Sequence, residues 1–164
     1  MVSCRRVTLA AAALAVIVIG VGPSLAAPPD RAVAESARAE VVRGDLEAGM
    51  AAVKHGDWAT ARVYLQRAID RDPQDPDALA AMGETWLRLG QREKAFQYLE
   101  AALIVDPDHR GAIASMGELS LAVGNIAEAR RQAGHLAQLC PRGCAERARL
   151  EEAIAAKTAG RSGT

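Results

Sequence analysis

The sequence predicts an all-α protein, a solenoid of three helix-turn-helix units followed by one capping helix. The main observation is a period of about 34 residues, the length typical of stacked helical hairpins. Glycine, alanine and proline keep this period at four offsets: Gly49, Gly83 and Gly117; Gly56, Gly90 and Gly124; Ala61, Ala95 and Ala129; Pro73, Pro107 and Pro141. Between these markers, apolar residues recur at steps of three and four, which is the helical period.

The N-terminal residues 1–26 are expected to form a signal peptide. Arg5 and Arg6 precede the uncharged apolar run 7–21, and small residues at 24–26 follow it, which is typical of a secretory signal cleaved after position 26. The alternative is an uncleaved inner-membrane anchor, because residues 7–27 are long enough to span a bilayer. We therefore expect a periplasmic protein, with a membrane contact only if this segment is retained.

Composition limits the possible functions. The 164 residues include 20 basic and 20 acidic side chains, so the formal net charge is zero. Neutrality argues against nucleic-acid binding, which requires a basic surface. Half of the residues are hydrophobic but only 3% are aromatic, so we expect one thin core rich in alanine.

The three units are predicted at residues 42–75, 76–109 and 110–143, after a linker or short helix at 27–41. Within the second unit, Gly83 lies among the apolar residues of the first helix, where glycine costs ~1 kcal/mol relative to alanine. Its recurrence predicts close contact with another helix. Gly90 is expected to end the first helix in the left-handed conformation, and Pro107 to end the second.

A seventh helix is predicted at residues 144–157. Leu150 and Ile154 are spaced to cover the third unit, and Glu151 stands where the units have glycine. Solenoids need such a cap with a polar outer face for solubility. Residues 158–164 are expected to be a disordered tail.

With these markers in place, the chain resembles the tetratricopeptide repeat family. The second unit carries the family's large, small, aromatic and proline positions as Leu79, Met82, Gly83, Trp86, Ala95, Tyr98, Leu99, Ala102 and Pro107. The third unit follows, although Ala133 replaces a large residue. The first unit departs most, with Asp45 where a large apolar residue is usual, so its first helix should be the loosest. The resemblance implies a right-handed superhelical solenoid that binds other proteins and carries no reaction centre.

The resemblance also implies that the first helix of each unit lines a concave face. The residues expected to line this partner-binding groove are Arg43, Leu46, Met50, Val53, Asp77, Ala80, Glu84, Leu87, Arg88, Ala114, Glu118 and Leu121. Such a groove would bind an extended segment or an amphipathic helix, and Glu84 and Glu118 would favour a basic flank on the partner. The alternative is that the apolar members only pack against neighbouring helices, including an N-terminal segment folded into the groove.

One branch of the family binds chaperone tails with a clamp of Lys and Asn side chains. The matching positions here hold Leu46, Met50, Ala81, Gly111 and Ser115. Binding of chaperone tails is therefore not expected.

Cys140 and Cys144 stand at the turn before the capping helix. In an exported protein two such thiols most simply form a disulfide, here connecting the cap to the third unit. A redox or copper site is the alternative, but no His or Met lies beside the pair, and Ala145 stands where a haem-attachment motif would carry His.

No catalytic motif is found in the sequence. The three histidines occupy unrelated positions in the repeat, and the glycines are accounted for by turns and packing. The sequence thus predicts a non-enzymatic periplasmic adaptor without metal or cofactor, binding a protein partner. A redox or copper accessory protein and a membrane-tethered scaffold are the alternatives.

Overall fold

A computed structural model describes residues 31–162, which form seven α-helices and no strand. Their bounds are α1 Arg31–His55, α2 Trp58–Arg71, α3 Pro76–Arg88, α4 Arg92–Val105, α5 Arg110–Ala122, α6 Ile126–Leu139 and α7 Ala145–Ser162. The predicted signal peptide lies outside the described residues. Within them, no helix is long and apolar enough to cross a membrane.

The helices pack as three antiparallel hairpins, α1 with α2, α3 with α4 and α5 with α6, and α7 covers the last pair. The first helices of successive units also contact one another, and α7 continues that row. In contrast, no Cα atom of α4 lies within 8 Å of α6, and the same holds for α2 and α4. The first helices therefore line the concave face and the second helices the convex face, which confirms the predicted all-α solenoid.

Glycine ends the first helix of each unit, as predicted. Gly56, Gly90 and Gly124 have φ of 74°, 74° and 85°, a left-handed conformation that only glycine adopts at little cost. The next residue is the N-cap of the return helix. Asp57 and Asn125 each accept a backbone N–H of that helix at 3.1 Å. The repeat pattern thus determines both where the first helix of a unit ends and where the second begins.

The glycines inside the first helices allow close helix contact, which confirms the interpretation of Gly83. A Cβ atom added at Gly83 would lie 2.6 Å from Leu99 Cγ, and one at Gly49 would lie 2.7 Å from the same atom of Leu65. At Gly117 the close neighbour is instead Leu150 of α7, at 2.6 Å. The capping helix thus supplies the leucine in the third unit, where Ala133 replaces the large residue of α6.

Two segment bounds differ from the prediction. Residues 31–41 continue α1 without a break, so they form neither a linker nor a separate helix folded into the groove. Residues 158–162 belong to α7, where a disordered tail was predicted. Residues 31–41 are rich in alanine and other good helix formers. Both segments extend an existing helix, so no new nucleation is required.

The first helix is the most exposed of the solenoid, as expected for the unit that departs most from the family. Among the described side chains of α1, only Gly49 and Ala52 are buried. Asp45, which replaces a large apolar residue, forms an ion pair with Arg71 of α2. The pair therefore substitutes for apolar packing at this position.

Candidate functional site: the concave face

The structure distributes the predicted groove residues over three levels of exposure. Ala80, Ala114 and Leu121 are largely buried among the helices, as the packing alternative describes. Two further sets remain accessible. Those exposed are Arg43, Met50, Asp77 and Arg88, and those half-buried are Leu46, Val53, Glu84, Leu87 and Glu118.

A small cavity of about 130 Å³ opens on this face where α1, α3 and α5 meet. Met50 and Val53 form its α1 wall, and Ala80 and Ala81 of α3 and Gly111 of α5 leave its floor shallow. Because Met50 remains 46% exposed, the cavity combines an accessible apolar wall with space beside it. Its size suits one apolar side chain of a partner.

His109 connects the second unit to the third at the edge of this cavity. Its Nδ1 accepts the backbone N–H of Ala112 at 3.0 Å, which caps the start of α5. Its Nε2 lies 2.9 Å from a carboxylate oxygen of Asp77 and donates to it. Since both ring nitrogens are engaged, His109 has a structural role at the turn, and sequence reasoning had not linked it to the groove.

Two arginines and two glutamates form an ion network on the C-terminal half of the concave face. Arg88 lies 3.3 Å from Glu84 and 2.9 Å from Glu118. Arg149 of α7 lies 3.1 Å and 2.8 Å from the same two carboxylates. The two acids are therefore balanced within the protein, which corrects the expectation that they attract a basic flank of the partner.

Arg149 was missed in the sequence because it belongs to the capping helix, 65 residues from Glu84. It stands one repeat period after Ser115, a position that faces the groove in the family. Extending the repeat register into α7 would therefore have identified it. The cap thus completes the concave face as well as covering the core.

The cysteine pair lies at the far end of the solenoid from the cavity. The sulfur atoms of Cys140 and Cys144 are at disulfide-bond distance, and their Cα atoms are 6.0 Å apart, within the usual range for a disulfide. The disulfide remains a prediction to be tested on the protein. In the part of the chain that the structure describes, no group of three or more His, Cys, Asp or Glu side chains is arranged to hold a metal ion.

Comparison with known proteins agrees with this architecture. The family model of the tetratricopeptide repeat (TPR) matches residues 46–112. Residues 46–112 are therefore a TPR segment, and the seven helices together have the TPR solenoid fold. No curated protein sequence matches it significantly.

Solved TPR structures resemble this chain at the level of the fold. The Arabidopsis OM64 TPR domain is 20% identical, with a TM-score of 0.63, over 71% of this chain and 96% of that one. The first TPR of Spaghetti (RPAP3), bound to the HSP90 peptide SRMEEVD, is 19% identical, with a TM-score of 0.61, over 71% and 93%. PcrH, in complex with the chaperone binding region of PopD, is 20% identical, with a TM-score of 0.62, over 74% and 94%. Similarity at this level shows the shared solenoid fold.

Proposed function

We propose that this TPR protein is a non-enzymatic interaction module, exported to the bacterial periplasm, that binds a short segment of a partner protein in its concave face. The observation that carries the proposal is the accessible apolar surface of Leu46, Met50 and Val53 beside the cavity. The resemblance to TPR structures solved with bound peptides or segments supports this mode of binding.

The distribution of charge supports a main contact on the N-terminal half of the concave face. There, Met50, Val53, Ala80 and Ala81 form the apolar part of the cavity lining. Its two carboxylates are already paired, Asp77 with His109 and Glu84 with Arg88 and Arg149. On the C-terminal half, Arg88 and Arg149 already hold both glutamates. A partner therefore gains most by burying an apolar side chain beside Met50, since burial of such a side chain contributes about 1.5–3 kcal/mol.

A chaperone tail is not the expected ligand. Recognition of a terminal carboxylate requires cationic or amide donors, whereas Met50, Ala81 and Gly111 provide no such side chain at the cavity. His109 is the nearby polar residue, and both of its nitrogens are engaged. We expect no saturable binding of the peptide SRMEEVD in fluorescence anisotropy, and tight binding of that peptide would contradict this assignment.

Export rests on the sequence of residues 1–26, which lie outside the described part of the chain. Expression in a Gram-negative host, fractionation and N-terminal sequencing of the product test it. We expect a periplasmic protein that begins at Ala27. A cytoplasmic protein with an intact N-terminus would contradict export, and an intact N-terminus in the membrane fraction would indicate an anchor.

Site-specific photocrosslinking tests the concave face. A photoreactive amino acid replaces Met50, which is 46% exposed, or Ile104 of α4, which is 76% exposed and outside the groove. We expect one partner segment to be captured at position 50 and identified by mass spectrometry, and not at position 104. Leu87 is less suitable for this purpose, because it packs against the core.

The matched variant is Met50→Arg in the same chain, measured against the synthetic peptide of the captured segment. Placing a charge beside an apolar cavity should weaken binding by about tenfold or more, while far-ultraviolet circular dichroism stays unchanged. Capture from position 104 alone, or binding that Met50→Arg does not alter, would move the contact away from the concave face.

A further inference from the structure

The convex side of the solenoid carries a larger groove between α4 and α6, which we call the α4–α6 groove. Its volume is about 820 Å³, and α5 forms its floor. Phe96 on the α4 side is 46% exposed, and Val123 at the end of α5 is 62% exposed. The remaining apolar lining consists of Leu103, Met116 and Leu119. This surface is separate from the concave face described above.

The equivalent groove one unit earlier, between α2 and α4, is filled by the protein itself. Trp86 of α3 lies in it, and the remaining space is about 310 Å³. Two cations cover the indole ring: Lys94 Nζ lies 4.3 Å and Arg62 Cζ 5.7 Å from its centroid. The chain thus shows which side chains suit such a groove, namely an aromatic ring with basic groups over it.

All three of these side chains are replaced at the equivalent positions of the next unit. Ser120 stands where Trp86 would be, Phe96 replaces Arg62, and Glu128 replaces Lys94. Ser120 is small, lies at the bottom of the groove, and donates its hydroxyl to Met116 O at 2.9 Å. The α4–α6 groove therefore has the same arrangement of helices as the filled groove, but α5 places no aromatic side chain in it.

The charged residues at the edge of the α4–α6 groove indicate which groups a bound partner would supply. Glu93 and Glu100 lie three residues before and four residues after Phe96, so the three side chains share one face of α4. Both acids line the groove, and neither forms an ion pair with another described side chain. On the opposite edge, Glu128 is paired with Arg131. The α4 edge thus presents two uncompensated carboxylates beside an exposed aromatic ring, with one base, Arg92, at its end.

We propose that the α4–α6 groove docks a helical segment of a partner protein, which inserts one aromatic side chain over Ser120 and presents Lys or Arg to Glu93 and Glu100. The aromatic side chain takes the place that Trp86 occupies one unit earlier. The partner's basic residues supply the cations that Lys94 and Arg62 provide there. This surface is independent of the concave contact, so the protein can connect two partners.

Display selection with defined peptides tests the proposal. Random helical peptides of about 15 residues, the length at which an isolated helix becomes sustainable, are selected on the full mature protein. Peptides that also bind the Ser120→Trp variant are removed by counter-selection. We expect the enriched sequences to carry Trp, Tyr or Phe with Lys or Arg one helical turn away.

Two variants and one control then locate the binding site of the best enriched peptide, labelled with fluorescein. Ser120→Trp supplies the ring that Trp86 provides in the filled groove. Phe96→Arg supplies the base that Arg62 provides there, in case the buried site does not accept Trp. Each should weaken binding by about tenfold or more, since each removes burial of one large apolar side chain. Ile104→Arg changes another exposed apolar residue of α4 outside the groove and should leave binding unchanged, as should Met50→Arg.

Four outcomes would overturn the proposal. They are failure to enrich any sequence, enrichment of acidic or purely aliphatic sequences, equal binding by wild type and Phe96→Arg, and loss of binding with Met50→Arg alone. Analytical ultracentrifugation adds one more result of this kind. A dimer of the wild type that Phe96→Arg dissociates would assign the groove to a second copy of this chain.

Discussion

The close approach of helices at Gly83 leads to a quantitative prediction for Gly83→Ala. The added Cβ would lie 2.6 Å from Leu99 Cγ and 3.2 Å from its backbone nitrogen. Leu99 is fully buried, so its side chain cannot move into solvent, and the α3–α4 pair must separate slightly. Such overpacking costs about 1–3 kcal/mol, against a gain of about 1 kcal/mol in helix propensity.

Gly134→Ala provides the matched control. Gly134 lies inside α6, and an added Cβ there would meet no atom within 4 Å. Both substitutions gain the same helix propensity, so the difference between their free energies of unfolding reports the steric strain at Gly83. We expect Gly134→Ala to stabilise by up to about 1 kcal/mol and the two variants to differ by about 2 kcal/mol.

Urea unfolding followed by far-ultraviolet circular dichroism measures both free energies by linear extrapolation. A second test combines Gly83→Ala with Leu99→Ala, which removes the atoms that the new methyl group meets. The double variant should then be less destabilised than the sum of the single variants, by about 1 kcal/mol or more. If Gly83→Ala and Gly134→Ala stabilise the protein equally, the glycine pattern does not reflect helix contact.

Three further predictions concern polar and covalent links. Arg149→Met should lower the free energy of unfolding, measured by urea titration, by about 1 kcal/mol at low salt. The loss should be smaller at high salt, which screens the ion pairs. An equal loss at low and high salt would argue against the ion network. Hydrogen bonds from Thr60 lower the pKa of Asp57 below the usual 3.8. The contribution of the ionised carboxylate to stability is therefore present above that pH and is lost as the pH falls through the lowered pKa. Asp57→Asn keeps a capping oxygen, so thermal unfolding should show a smaller loss of stability in acid for this variant than for wild type. The joint change of Cys140 and Cys144 to Ser should cost about 2 kcal/mol, and reaction of both thiols with maleimide in the unreduced protein would refute the disulfide.

The repeat frame was predictable because its signals are local. A glycine that ends a helix in the left-handed conformation, as at Gly90, acts through its own backbone. Proline at the end of the second helix acts in the same way. These effects recur once in every unit, so the ends of the helices are marked in the sequence itself. The extension of α1 to Arg31 and of α7 to Ser162 shows where local signals are weak, because no proline interrupts either segment.

The groove could be predicted only in part. The sequence placed Met50 and Leu46 on the concave face, and the structure leaves both accessible. It also placed Ala114 and Leu121 there, but both side chains are buried. Their burial depends on how much of α5 is covered by α3 and α7. Distance along the sequence does not determine that coverage, so the burial of these two side chains appears only in the packed protein.

The sequence by itself determined that this chain is a stack of helical hairpins, since each turn is encoded within a single unit, as are the close contacts at Gly49 and Gly83. Only the tertiary structure decided which charges remain free and which grooves remain open. Arg149 neutralises Glu84 from a helix outside the repeats, and Trp86 fills one convex groove while Ser120 leaves the next one open. Such outcomes depend on distances between side chains of different units, and those distances exist only once the units are stacked.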